Sequence, residues 1–162
     1  MFREMRRKKQ ALSFEEIVDI LNRGTSGVLA VSGDAGYPYA VPLSYVYDGC
    51  KIFFHCAASG HKLDGIANNS KVSFCVVGQD LVMPQEYTTY YRSVIVFGTA
   101  RILTEETQKR AAIEKLAAKY SPDQEKGRLQ EIDKLFDKTC MIELTIEHMT
   151  GKAAIELTNK KP

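Results

Sequence analysis

The sequence predicts an α+β domain whose core is an antiparallel β-barrel flanked by helices. Three observations carry that expectation. Apolar residues alternate in short runs, at Gly27 to Ser32, Tyr37 to Tyr47, Lys51 to Ala57, Val72 to Val77, Ser93 to Ile102 and Cys140 to Glu147. The turn residues Gly33-Asp34-Ala35-Gly36 and Asp48-Gly49 separate the early runs, so these are hairpins and their strands antiparallel. No regular alternation of strand and long helix occurs, which disfavours a doubly wound parallel sheet.

Each element has its own signal. Ser13 and Glu16 stand at capping-box spacing, and Phe14, Ile17, Val18 and Leu21 recur at helical spacing until Gly24. In the run from Tyr37 to Tyr47, Tyr39, Val41, Leu43 and Tyr45 share one face, and Ala40, Pro42, Ser44 and Val46 the other. Pro42 cannot donate to a ladder, so it must lie at an edge, a bulge or a break in pairing. Leu63, Ile66 and Ala67 predict one or two helical turns. The tyrosine-rich stretch Gln79 to Arg92 reads as an irregular loop. Glu105 to Tyr120 is predicted helical, with acids in its first turn and Ala112, Ile113, Leu116 and Ala117 on one face. A second helix carries Leu129, Ile132, Leu135 and Phe136, and the closing strand is expected to continue past Gly151 through Ala153 to Leu157.

With 162 residues, 44% of them hydrophobic and 26% charged, the chain suits one domain with one substantial core. Residues 1–12 are expected to form a basic arm and residues 158–162 a flexible tail. A net charge of +2, much of it from Arg3, Arg6, Arg7, Lys8 and Lys9, is a weak footprint for nucleic-acid binding, and none is expected. No stretch approaches membrane-spanning length, and no apolar leader marks export, so a cytoplasmic location is expected. Cys50, Cys56, Cys75 and Cys140 show no CxxC spacing. Cys56, Cys75 and Cys140 sit in apolar runs, where inert core packing is expected and no metal site.

The most informative segment is Phe53-Phe54-His55-Cys56-Ala57-Ala58-Ser59-Gly60-His61-Lys62-Leu63, which passes from a strand through small residues into a helix. A helix N-terminus favours acids, yet His61 and Lys62 occupy this opening turn. Backbone N–H groups, the Ser59 hydroxyl, Gly60 and the Lys62 ammonium could together cradle a phosphate. The competing reading is a solvated lysine after a turn.

In order along the chain come Gly36-Tyr37-Pro38-Tyr39-Ala40-Val41-Pro42-Leu43-Ser44, then Phe54-His55-Cys56-Ala57 with Gly60-His61-Lys62, then Tyr91-Arg92-Ser93-Val94-Ile95-Val96-Phe97-Gly98. In these pieces the chain resembles the nitroimidazole-resistance family, which lies within the pyridoxamine 5'-phosphate oxidase-like split β-barrels that bind FMN at a homodimer interface. The resemblance implies that Ser59, His61 and Lys62 hold the flavin phosphate, that Val41, Pro42, Leu43 and Ser44 lie against the isoalloxazine ring, and that His55 and Ala57 sit beside it. His55 becomes the candidate catalytic residue, since an imidazole can donate or accept a proton near neutral pH; a strand histidine satisfied by a backbone carbonyl is the competing reading. Ser93 and Ile95 are expected to approach the flavin from the partner subunit, with Tyr90, Tyr91 and Arg92 closing the pocket or packing an interface.

Two departures qualify the resemblance. The Arg and His with which pyridoxamine 5'-phosphate oxidases grip pyridoxal phosphate near the C-terminus have no counterpart, so vitamin B6 oxidation is disfavoured. Position 61 carries His where the family more often has Arg, which weakens the expected grip on phosphate. The implied function is an FMN-dependent reductase of small electron-poor aromatics such as nitro compounds. A nicotinamide donor, NAD(P)H, would dock transiently because no GxGxxG fingerprint is present. The alternative is a non-catalytic flavin or haem binder for storage or sensing.

Overall fold

A computed structural model describes residues 1–158. Helix α1 (Phe14–Arg23) opens with the expected reciprocal cap: the Glu16 N–H donates to Ser13 Oγ at 3.3 Å, and the Ser13 N–H donates to the Glu16 carboxylate at 2.8 Å. Strands β1 (Gly27–Ser32), β2 (Pro38–Leu43), β3 (Val46–Asp48) and β4 (Lys51–Ala57) follow. Then come α2 (His61–Asn68), β5 (Lys71–Met83), β6 (Thr88–Ile102), α3 (Glu106–Tyr120), α4 (Glu125–Leu135), β7 (Thr139–Ala153) and the single turn α5 (Ile155–Thr158).

The seven strands form one sheet in the order β2-β1-β5-β6-β7-β4-β3, antiparallel throughout. Its two edges, β2 and β3, are consecutive in the chain and separated only by Ser44 and Tyr45. The sheet must therefore curl until its edges approach each other, and because they do not pair, the barrel is split along that seam. Pro42 lies on β2, where one side of the strand needs no ladder partner, as its missing N–H requires.

Strand alternation divides the side chains into two sets. Leu29, Ile52, Phe54, Phe74, Val76, Val94, Val96 and Leu144 point inward and are fully buried. Helix α1 closes the barrel end near Gly27, and Tyr45 ties them together by donating its hydroxyl hydrogen to the Leu21 carbonyl at 2.8 Å. Helix α2 closes the opposite end through Leu63 and Ile66. A second, smaller core lies outside the barrel, where α3 and α4 cover the outer face of β4: Phe53 and Met141 pack with Ile113, Leu116 and Ile132.

Several expectations need correction. Gln79 to Arg92 is a long β-hairpin, not a loop: β5 and β6 pair on to Met83 and Thr88, with a register shift between Val77 and Gln79. The run from Tyr37 to Tyr47 is interrupted at Ser44 and Tyr45, where the chain crosses the seam. Ile155 to Leu157 form part of α5 and do not extend the last strand, and Thr158 ends that helix, so only residues 159–162 of the expected tail fall outside the described residues. Residues 1–12, expected as a basic arm with no stated packing, lie on the body: the Leu12 N–H donates to the Gly151 carbonyl at 3.0 Å, Gln10 and Leu12 are buried, and Phe2 stacks on His148 with ring centroids 4.7 Å apart. Cys75, expected in the core, faces outward between Val28 and Ile95.

Candidate functional site

The start of α2 is held by close packing against β1. A Cβ on Gly65 would lie 2.5 Å from the Ser32 carbonyl oxygen, so only glycine lets the helix approach this near. The chain enters the helix through Gly60 at φ +141°, a conformation that L side chains rarely adopt. No side chain caps this terminus, and the Gly60 carbonyl accepts from Leu63 and Asp64, leaving the preceding N–H groups open. The dipole end, the exposed Ser59 and the half-buried His61 and Lys62 thus converge.

His61 and Lys62 behave differently there. The His61 ring stacks on Tyr39 of β2 at 4.1 Å between centroids, and its Nε2 accepts from the Asp34 N–H at 3.3 Å. The same nitrogen lies 3.6 Å from the Asp34 carboxylate, which is 91% exposed, so an ion pair there is worth little. Lys62 has no carboxylate partner among the described residues. Its charge is felt by Cys56, whose thiol is pushed up to about 11 by burial and by neighbouring Cys140, with Lys62 pulling the other way. Cys56 and Cys140 are cross-strand partners packed against the barrel core, and a thiol held that high stays neutral and unreactive.

Along β4, Phe53, His55 and Ala57 share the outer face. Phe53 lies beneath α3 and α4, Ala57 leads into the Ser59–Lys62 segment, and the exposed His55 stands between. Across the seam, Pro42 and Ser44 face outward, whereas Val41 and Leu43 pack against the barrel core and can offer a ligand only backbone. His55 and Ser44 line one cavity of about 430 Å³ with Ile113, Leu116, Ile132 and Arg128 from the helical hairpin. The structure therefore brings Ser44 and His55 together in one cavity, while His61 packs on Tyr39 and Asp34 and Lys62 lies near enough to Cys56 to act on its charge.

Ser93 and Ile95 are not part of this cluster. Ile95 stands in a row with Cys75, Val28 and Pro42 across four strands, so it shares the outer face with Pro42. Its partner on β7 is Thr150, nine residues along from Met141, the partner of His55, which is roughly 30 Å of strand. Around Ile95 the outer face is apolar and open: Val28, Val77, Ile95 and Phe97 are each more than a third exposed. A shallow groove of about 580 Å³ runs over the same face beneath Phe2, away from His55. Arg92 donates to the Gln79 side chain at 3.4 Å while its Nε is buried without a partner among the described residues. Tyr90 donates to Glu86, and Lys152 lies 5.5 Å from the Tyr91 ring centroid.

Sequence reasoning missed Tyr39 and Asp34 as supports of His61, because nothing local links a strand and a turn to a helix twenty-odd residues on. It also missed Arg128, although a signal existed: Arg128 stands four residues before Ile132, on the stripe that faces the barrel.

The fold has relatives among solved structures. A conserved hypothetical protein from Mycobacterium tuberculosis superposes with a TM-score of 0.81 at 21% identity, covering 98% of this chain and 94% of the other. A Bacteroides thetaiotaomicron protein provisionally assigned to 5-nitroimidazole antibiotic resistance gives 0.76 at 19% identity, covering 88% and 86%. An FAD- and haem-binding protein from Mycobacterium smegmatis gives 0.74 at 24% identity, covering 90% and 73%. At these identities the likeness establishes the split-barrel fold alone. No curated protein matches the sequence. The model of the pyridoxamine 5'-phosphate oxidase family matches residues 13–153, from the cap of α1 to the end of β7, and the chain belongs to that family.

Proposed function

We propose that the protein is a cytoplasmic, homodimeric flavoprotein that binds FMN and reduces small electron-poor aromatics such as nitro compounds. The observation that carries the reading is Lys62: a half-buried lysine at a helix N-terminus without a side-chain cap, with no carboxylate partner among the described residues. A phosphate would occupy the open N–H groups and balance that charge at once. His61 adds an imidazole beside the same terminus, and Ser59 a hydroxyl. From this anchor the outer face of β4 leads past Ala57 to His55, with Pro42 and Ser44 across the seam, an apolar platform suited to a flat ring.

The bound flavin would supply the electron-transfer chemistry. The chain's own part is to orient the ring, to exclude water and, through exposed His55, to offer a proton donor or acceptor beside the acceptor molecule. Ser93 and Ile95, remote from His55 in their own chain, reach a flavin only if a second copy presents them. The open apolar patch around Ile95 supports such a two-fold contact.

FMN titration of purified protein, followed by quenching of flavin fluorescence, tests the anchor. Lys62→Ala is expected to weaken binding about tenfold, the loss of one charge-assisted hydrogen bond, with the fold intact. Unchanged affinity would remove the phosphate assignment. A second reading, a flavin or haem binder without turnover, is favoured by the Mycobacterium smegmatis relative that binds FAD and haem. Oxidation of a nicotinamide donor with a nitroaromatic acceptor distinguishes the enzyme from the binder, and an intense Soret band would identify haem.

A further inference from the structure

We infer that the cleft between the α3–α4 hairpin and the outer face of β4 is the acceptor-substrate pocket, and that Arg128 selects acceptors bearing an anionic group. The inference rests on the flavin reading for its meaning, since it names the molecule that the flavin would serve. Its geometry stands independently. The cleft measures about 430 Å³, within the range of small-molecule sites, and its walls are the apolar side chains of Ile113, Leu116, Ile132 and Leu135. Its barrel-side wall includes Ser44 and His55. His55 lies on β4 between the helix-covered Phe53 and the exposed Ala57 that leads to the phosphate cradle. A molecule in the cleft is therefore on the far side of His55 from the cradle, where it can meet the ring end of a flavin without competing for the phosphate.

The charge in the cleft is not self-compensated. Arg128 spends one guanidinium nitrogen on the Ser121 and Pro122 carbonyls, at 3.2 and 2.9 Å, which pins it at the turn between α3 and α4. No carboxylate pairs with it among the described residues. The lining holds one carboxylate, Glu131, which is 61% exposed and turned to Lys134 at 3.9 Å. The contrast is Arg110, in a separate cleft on the same helical pair, where Glu114 and Asp133 both engage the guanidinium. Arg110 is neutralised by its own chain, whereas Arg128 keeps donors in a planar fork suited to a carboxylate. The substrate class is a flat apolar body of one or two rings carrying a carboxylate or similar anion.

The test compares 4-nitrobenzoate with nitrobenzene, which differ only in the carboxylate. Binding to the purified protein is followed by ligand-observed NMR, with and without FMN, so that a failure of flavin binding is seen separately from a failure of the cleft. Wild type should bind 4-nitrobenzoate about tenfold more tightly than nitrobenzene, as expected for one charge-assisted contact. Arg128→Met should abolish that preference while leaving FMN affinity unchanged. Leu135→Trp, at a partly exposed position on the rim, should block both probes with the melting temperature retained. Equal affinity for the two probes in wild type, or a preference that survives Arg128→Met, overturns the inference.

Discussion

Helices α1 and α2 begin in opposite ways. At α1 the chain satisfies itself: Ser13 and Glu16 cap each other, and Glu15 and Glu16 place acid at the positive end of the dipole. The Glu15 carboxyl is held below its usual range by a backbone hydrogen bond and by Ser13. At α2 the reciprocal cap is missing and the charge is mixed, with Asp64 as the one acid of its first turn. Gly60 supplies no cap, and His61 and Lys62 stand where acids are favoured. The first helix is complete as folded, whereas the second is the one proposed to take an anion. A helix start that its own sequence leaves electrostatically unfinished is more informative about ligands than one that is merely exposed.

The largest effect should come from exaggerating the difference. Lys62→Glu gives the first turn of α2 a second acid beside Asp64, as α1 has two, and FMN affinity should fall roughly a hundredfold, since a favourable charged contact is replaced by a repulsive one. The same change should leave the fold intact or slightly raise its melting temperature, because an acid now complements the dipole. If Lys62→Glu instead unfolds the protein with no separable effect on flavin, the lysine is a structural residue and the contrast between the two helices has no functional content.

A smaller effect concerns a charge cluster that the chain does complete. Glu143 is 5% exposed and accepts from Lys51 at 2.9 Å and Arg101 at 2.8 Å. Burial alone would raise its carboxyl, but the hydrogen bonds from Arg101 and Lys51 outweigh it and hold the group below the usual carboxylate range. A carboxyl lowered by folding contributes stability that is full above its unfolded value and is lost as pH falls through the folded one. Glu143→Gln should therefore cost about 2 kcal/mol at neutral pH, discounted from a fully buried pair because both cations reach solvent. The cost should shrink below about pH 4 as the wild-type carboxylate itself protonates. A cost independent of pH, measured by denaturant titration at each pH, would assign it to packing instead of charge.

Legibility in the sequence followed the range of the interactions. The cap of α1, β1 from Gly27 to Ser32 and β4 from Lys51 to Ala57 are written in neighbouring residues, and the structure places them at those bounds. The hairpin from Gln79 to Arg92 was obscured because the register shift between Val77 and Gln79 breaks the two-residue period, so alternation ceases to mark a strand that continues. Ile155 to Leu157 has strand-like composition, but the Leu157 N–H closes a turn on the Ala154 carbonyl at 3.0 Å. At the site, the opening turn of α2 was visible locally. The contacts that hold the His61 ring were not, because Tyr39 and Asp34 reach it across the fold, and the cleft beside His55 exists only once α3 and α4 dock on Phe53.

The smallest expected effect completes the contrast from the other side. Ser13→Ala removes the hydroxyl that accepts from the Glu16 N–H and breaks the reciprocal cap, at a cost of about 1 kcal/mol. For a chain of this size that lowers the melting temperature by roughly 2 to 4 °C. FMN affinity should not change, because α1 closes the barrel end opposite to the α2 cradle and its cap has no role beyond its own helix. The two substitutions then dissociate: Lys62→Ala changes binding without stability, and Ser13→Ala changes stability without binding. Should Ser13→Ala weaken FMN as much as Lys62→Ala does, flavin binding responds to general loosening of the barrel, and the anion cradle loses its special standing.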